Sequence, residues 1–482
     1  MLPNLTDDGL GVIEVADLPE LDLSSTYYDT SDLRLARSGV TLRYRTGDDA
    51  GPGWTLKLRV PGLDATQRDE FTFPGAPDSV PADAADLVEA LARSEPLRPV
   101  ASLRTRRRRW MLCGDGDTPL AELVDDDVSV LDDDRIVARF RELELESRGP
   151  DLDDLRPIAA RLRRAGAVLS EPVAKAIRAL GPRAAAPPDF ADVPLTKADP
   201  SSQAVKAALA AGTRRLVLND PATRLGDAEA LHQMRVAARR LRSDLRTFRA
   251  LVDGAWARGL RDELQWLGAL LGEVRDLDVQ LESLNAIAGD LLPDLRPMVD
   301  GMGERRDRAR SRLLEALRTD RYRTLLDRLV DGIRDPLVTS NADAPCSEAL
   351  PPLLAKAWRR LRRRAQRVHL NDPDERYHAV RIAAKRVRYA AEAIAPALGS
   401  RSKRVEKIAV RAADLQDLLG RLQDAVVAIA EVDRARANHR ANAALHYAAG
   451  RLVEREAATK ADARQQFPQA WARLEKRYRR FA

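Results

Sequence analysis

The sequence has little from which to build a redox, metal–thiolate or membrane-spanning protein. Its 482 residues include two cysteines, Cys113 and Cys346, far apart in the chain. That is too few for a disulfide framework or a cysteine zinc site, and it suits a reducing compartment. Five histidines leave little room for an imidazole metal centre, and aromatic residues are only 4% of the chain. No apolar run approaches the ~18 residues of a membrane span. The opening MLPNLTDDGLG lacks the basic and apolar regions of a secretory signal. The expectation is therefore a cytoplasmic protein with no membrane partner.

What is present is charge. Charged residues make up 32% of the chain, above the usual ~25%, and 44% hydrophobic residues suffice for real cores. At ~150 residues per domain the length implies two to four domains. The charge is unevenly placed. Residues 1–200 hold 26 Lys+Arg against 37 Asp+Glu, and residues 201–482 hold 54 against 37. The net values are −11 and +17, which sum to the overall +6. Two modules with different electrostatic roles follow, and the basic one invites an anionic partner.

The pattern changes period at the same place. Segments 25–30, 40–47, 53–60, 67–75, 100–112, 119–130 and 135–147 alternate and end in turn residues, which predicts seven strands, with helices at 83–93 and 151–165. An α+β domain built on an antiparallel tunnel or barrel is expected over 1–182. The stretch 183–200, rich in Pro and Ala, reads as a linker. From 201 to 482 the apolar spacing is helical and predicts an all-α bundle.

The helical half repeats itself. LHQMRVAARRLRSDLRTF (231–248) resembles YHAVRIAAKRVRYAAEAI (377–394), LNDP at 218–221 matches LNDP at 370–373, and LLGEVRDLDV (270–279) matches LLGRLQDAVV (418–427). Two copies of one unit are expected, about 201–345 and 346–482, each of four helices. On a helical wheel with His232 at zero, Arg235, Arg239, Arg242 and Arg246 fall between about 280° and 340°. His378, Arg381, Lys385 and Arg388 form the same stripe in the second copy, with Glu392 where Arg246 stood. Neighbouring cations on a helix repel by ~0.2–0.5 kcal/mol per pair. A single-sign stripe beside an apolar one, made twice, points to an anion site. Asp276 and Asp424, matched between copies, read as anchors for nearby arginines. The runs at 358–370 and at Lys403, Arg404, Lys407 and Arg411 read equally well as groove wall or solvated face.

The doubled H-x-x-R-[VI]-A-A-[RK]-R-[LV]-R block, each copy followed by LLG-x-x-x-D, resembles the CHAD (conserved histidine α-helical domain) family. The resemblance implies two four-helix bundles about a pseudo-two-fold axis and a basic channel for inorganic polyphosphate. It carries over His232, Arg235, Arg239, Arg242, His378, Arg381, Lys385 and Arg388; Arg246 joins by its face. The N-terminal blocks TYYDT (26–30), LRYRTG (42–47), TLKLR (55–59), ELELE (142–146) and AKAIRAL (174–180) resemble the CYTH family of triphosphate tunnel enzymes. There the resemblance implies that Arg43, Arg45, Lys57, Arg59, Arg104, Arg106 and Lys175 hold a triphosphate. Glu142 and Glu144, as catalytic carboxylates, would bind Mg or Mn together with Asp125 or Asp127. The family's opening E-x-E-x-K strand has no counterpart here, so hydrolysis stays open. The combined expectation is a polyphosphate- or triphosphate-binding protein of the cytoplasm, polyphosphate granules included. The alternative is a non-catalytic basic scaffold for nucleic acid or an acidic protein.

Overall fold

The computed structural model describes residues 3–6, 10–59, 68–149, 153–170, 174–288, 292–438 and 442–481. The chain divides into two compact units between Pro188 and Asp189, inside the stretch read as a linker. That stretch is not all free chain. Ala184 is buried with Leu33 and Ala36, and Phe190 is buried in the second unit.

The first unit is a seven-stranded antiparallel sheet. Its strands are β1 (Glu14–Asp29), β2 (Thr41–Thr46), β3 (Gly53–Arg59), β4 (Arg68–Phe73), β5 (Arg98–Cys113), β6 (Pro119–Asp132) and β7 (Arg135–Ser147). The order is β4-β3-β2-β1-β5-β6-β7. Among the described residues four α-helices accompany it: α1 (Arg34–Arg37), α2 (Ala82–Ala92), α3 (Arg156–Arg164) and α4 (Lys175–Leu180). The first strand starts at Glu14, well before the expected residue 25. Acidic residues and Pro19 hide its alternation, yet it pairs with β5 from Glu14↔Cys113 to Asp29↔Arg98. Pro19 falls within the register shift between Leu18 and Leu21, where a missing N–H is tolerated.

The TYYDT block is largely architectural. The Asp29 carboxylate accepts the N–H groups of Thr30 (2.7 Å), Leu35 (2.9 Å) and Ala36 (2.9 Å), which fixes the turn into α1. The Tyr28 hydroxyl donates to Pro77 O at 2.7 Å, and its ring packs on Trp54. Only Tyr27 turns to the face that carries the charged residues below, where it packs with Leu103, Val128 and Ala176 of α4. α3 covers the opposite face through Ile158 and Leu162, against Leu112, Ala121 and Leu123.

The second unit is helical. The first copy holds α5 (Ser201–Leu225), α6 (Ala228–Thr247), α7 (Gly254–Ala288), α8 (Leu292–Leu317) and α9 (Asp320–Arg334). The second holds α10 (Cys346–Ala365), α11 (Asp374–Ile394), α12 (Ser402–Asn438) and α13 (Ala443–Arg479). Four helices per copy therefore holds only for the second; the 37-residue α13 runs through where the first copy breaks into α8 and α9. The two LNDP blocks are not equivalent. Residues 218–221 lie inside α5, whereas 370–373 lie between α10 and α11.

The two copies are joined where each begins. Ser201 donates its N–H to Ala344 O (3.0 Å) and Cys346 to Asp199 O (2.9 Å), around an antiparallel Pro200↔Pro345 bridge. α6 packs against α11, and α8 against α13. Met234, Ala238, Leu241 and Leu245 of α6, and Val380, Ala384 and Val387 of α11, are buried. Burying this apolar stripe fixes the rotation of each helix and so aims the charged stripe beside it.

Candidate functional site

In the helical unit, Arg235 and Arg239 of α6 come together with Arg381 and Lys385 of α11. Burial and then Arg239, Arg381 and Arg235, opposed by Asp424, push the Lys385 ammonium down to about 7. Burial, followed by Arg239 and Arg235, likewise lowers Arg381 against the pull of Asp424. The Nε–H groups of Arg239, Arg381 and Arg275 are buried with no hydrogen-bond partner. A buried donor without an acceptor costs about 1–3 kcal/mol, more when charged.

Acidic residues moderate the cluster, Asp276 and Asp424 with a smaller pull from Asp417 on Arg381. Arg235 Nη1 lies 2.8 Å from Asp276 Oδ1. Asp424 is raised by burial and by Asp276, although Arg381, Lys385 and Arg235 oppose this. The LLG blocks supply the neighbouring backbone: a Cβ on Gly272 would meet Arg235 Nε at 3.6 Å, and one on Gly420 would meet Arg381 Nε at 3.8 Å. The glycines let the guanidinium groups lie against α7 and α12. His232 is lowered first by burial and then by Arg275, Arg239 and Arg235, against Glu229. His378 Nδ1 pairs with the Gln423 amide oxygen at 2.5 Å.

The remaining stripe residues part company. Arg242 donates to Gln265 Oε1 at 2.8 Å. Arg388 bonds Glu392 at 2.8 Å, and Glu392 also takes Arg240 at 2.6 Å. Arg246 sits among like charges: burial, then Arg386, Arg261, Arg242 and Arg360, lower it. Sequence reasoning missed Arg240 and Arg275, because they lie off the stripe on their own helices. It also missed Asp244, which is fully buried; burial, opposed by Arg240 and aided by Glu392, raises it to about 7.

In the sheet unit the register sorts side chains by face, since directly opposed residues share one. Ser25↔Arg45, Tyr27↔Arg43, Thr41↔Lys57, Arg107↔Asp126 and Asp126↔Glu142 place Arg43, Arg45, Lys57, Arg107, Asp126, Glu142 and Glu144 on a common face. Arg104, Arg106, Asp125 and Asp127 fall on the other. Asp125 is buried there between Arg108 (2.6 Å) and Arg141 (2.7 Å), and Arg106 reaches Glu20 at 2.9 Å. The residues that do share the charged face are Arg107 and Asp126, which the sequence reading did not choose. The side chain of Arg59, at the end of β3, lies outside the described residues.

α4 drops Lys175 onto the acidic side of that face. Its Nζ lies 2.5 Å from Glu144, 3.1 Å from Asp126 and 3.4 Å from Glu142. Burial pulls its pKa down, but Glu144 and Asp126 outweigh this and hold it above the ordinary lysine value. Arg107 binds Asp126 through two bonds of 2.8 and 2.7 Å. On the basic side, burial and then Arg43 lower Arg45, which donates to Ser25 Oγ at 3.0 Å. Lys57 pairs with Glu70 at 2.8 Å, and Arg43 Nε is buried without a partner.

The chain resembles known proteins over most of its length. Residues 13–171 match the CYTH domain and residues 207–433 the CHAD domain. Two uncharacterized proteins of Mycobacterium tuberculosis (strains CDC 1551 / Oshkosh and ATCC 25618 / H37Rv) are 34% identical over 448 residues, 86% of this chain and 82% of theirs. It is a CYTH–CHAD protein. Among solved structures, PptA from Streptomyces chartreusis is 25% identical with a TM-score of 0.48, covering 57% of this chain and 100% of that one. The CHAD domain from the plant Ricinus communis is 30% identical with a TM-score of 0.49, covering 59% and 95%. CYTH and CHAD domains are linked in general to binding or hydrolysis of polyphosphate and triphosphate, and CYTH domains are generally metal-dependent. No helix among the described residues of this CYTH–CHAD protein is long and apolar enough to cross a membrane.

The CYTH carboxylates do not fit a divalent ion as they stand. Oxygen donors suit Mg or Mn, but Asp126, Glu142 and Glu144 already converge on the Lys175 ammonium. Among the described residues, no group of three ligating side chains is arranged to hold a metal.

Proposed function

We propose that this CYTH–CHAD protein binds inorganic polyphosphate through the central cluster of its helical unit. The carrying observation is that four cations share a partly buried site in which two guanidinium Nε–H groups, those of Arg239 and Arg381, have no acceptor. Phosphate oxygens are acceptors of the right charge, and arginine presents a fork that matches them. A linear polyanion satisfies several such donors at once. The nearest aromatics to the stripes, Phe248 and Tyr389, are 1% and 4% exposed and leave no platform for stacking bases. This favours inorganic phosphate over single-stranded nucleic acid.

The charged face of the sheet unit supports a short-chain triphosphate site in which Arg43, Arg45, Lys57 and Arg107 supply the positive charge. Hydrolysis is not part of this reading, because Lys175 engages the three carboxylates that a metal-assisted or base-assisted attack would need.

The test is titration calorimetry with polyphosphate on the full chain and on the Arg235→Glu, Arg239→Glu, Arg381→Glu, Lys385→Glu variant, with folding checked by circular dichroism. Loss of binding is expected; undiminished binding by a folded variant would end the proposal. Duplex DNA at matched phosphate and salt should fail to displace labelled polyphosphate. Tripolyphosphate with Mg²⁺ should persist undegraded, and hydrolysis that vanishes in Glu142→Ala would overturn the non-catalytic reading.

A further inference from the structure

An arginine-rich concavity of the helical unit lies away from the central cluster. A cavity of about 810 Å³ opens between the end of α10, the following loop and α11, lined by Arg360, Arg363, Arg364, Arg367, Arg376 and Arg386. On α11, Arg376, Ala379 and Arg386 fall about 80–160° round from His378, whereas the stripe occupies about 280–360°. The cavity thus lies on the face of α11 turned away from the stripe.

The charges there are not balanced. Among the described residues only Arg376 meets a carboxylate, that of Asp372 at 3.0 Å. Arg364 is held by Ala379 O at 3.0 Å, a neutral acceptor. Arg386 is lowered by burial and then by Arg364 and Arg360. Many arginines elsewhere in the helical unit have acidic neighbours, as Arg312 has Glu273 and Arg321 has Glu263.

The first copy differs at the corresponding place. Where α10 stops at Ala365, α5 continues to Leu225, and its last arginine is buried in a 2.6 Å pair with Asp220, which also accepts from the Tyr322 hydroxyl. The cavity is lined by the second copy alone. It is also connected to the stripe. A smaller cleft of about 60 Å³ is lined by Arg246 together with Arg360 and Arg386, which belong to the large cavity too. The pseudo-symmetric position is closed, since Arg240 is tied to Glu392 at 2.6 Å.

We propose that the α10–α11 cavity is a second polyphosphate subsite, which takes the part of a long chain that runs past the central cluster by way of Arg246. This rests on the reading of the central cluster as a polyphosphate site. Six guanidinium groups with one carboxylate between them suit a ligand with a negative charge on every unit. The lining has no Phe, Tyr or Trp, and its one ring is the exposed His369, so it lacks the run of aromatic platforms on which successive bases stack.

The experiment compares tripolyphosphate with long-chain polyphosphate on the full protein, on Arg363→Glu/Arg367→Glu and on Arg239→Glu/Arg381→Glu. Arg363 and Arg367 are exposed, and such surface changes rarely unfold a protein; Arg363→Gln/Arg367→Gln provides the milder control. The cavity variant should lose at least about tenfold in long-chain affinity and keep its tripolyphosphate binding, whereas the central variant should lose long-chain binding and keep only the tripolyphosphate held by the sheet unit. Unchanged long-chain affinity in the cavity variant overturns the subsite and leaves the central reading intact. Failure of the unmodified protein to bind either ligand overturns the central reading itself. Loss of duplex DNA binding with polyphosphate retained would reassign the cavity to nucleic acid and refute the proposal.

Discussion

Polyphosphate binding should load a proton onto Lys385, and the geometry sets how much. In the free protein burial, Arg239, Arg381 and Arg235 hold this ammonium at about 7, with Asp424 as the opposing charge. At pH 8 only about one molecule in ten then carries the proton. A bound polyanion cancels the repulsion and returns the group to the ordinary lysine range. Binding should therefore take up ~0.9 proton per site at pH 8, ~0.5 at pH 7 and ~0.1 at pH 6. Uptake means that rising pH opposes binding, so affinity should fall by nearly tenfold per unit above pH 8. In the absence of ligand the sign is opposite: the folded pKa lies below the unfolded one, the unfolded chain binds more protons between about 7 and 10.5, and stability rises with pH there. The assay is titration calorimetry at pH 8 in two buffers of different ionisation enthalpy. His232, also lowered, contributes a background of its own, so the decisive comparison is with Lys385→Arg, whose charge does not titrate. That variant should bind with the uptake largely removed. Equal uptake in the two proteins, or none in either, would refute the argument.

Other outcomes follow from the same contacts. Glu392→Gln should strengthen polyphosphate binding several-fold by releasing Arg240 and Arg388; equal or weaker binding in the same calorimeter would contradict this. Asp244→Asn should raise the melting temperature, because a folded pKa of about 7 against 3.8 makes ionisation costly. That gain should be negligible below about pH 4, grow to pH 7 and then level off, as followed by thermal unfolding. Lys175→Ala should destabilise the sheet unit by about 3–5 kcal/mol by leaving Asp126, Glu142 and Glu144 uncompensated. Added Mg²⁺ should then raise the melting temperature of that variant but not of the unmodified protein; an equal rise in both would show that the lysine does not block metal.

The stripes were legible in the sequence because one periodicity carries two signals. The apolar residues of α6 and α11 fix the rotation, and the charges beside them follow. The strands were harder where like residues run together. Alternation picks out Arg43 and Arg45, since Leu42 and Tyr44 take the other face. Arg106–Arg109 and Asp125–Asp127 offer a charge to both faces, so the text alone could not choose Arg107 and Asp126; only the pairing with β1 and β7 does. The outer half of β1 was obscured by Pro19 and its acids. The LNDP match misled because a tetrapeptide can sit inside a helix or in a loop, and tertiary context decides which. Contacts between helices, such as Arg240 with Glu392, have no signature along either helix alone.

The Arg240–Glu392 pair has a further consequence. A linear phosphate polymer reads the same from both ends, so on a cradle of perfect two-fold symmetry it would lie equally well in either direction. On the proposed reading, with one exit bolted by a carboxylate and the other left to Arg246 and Arg386, the overhang would always emerge on the same side. A duplicated scaffold would thereby give a heading to a ligand that has none of its own.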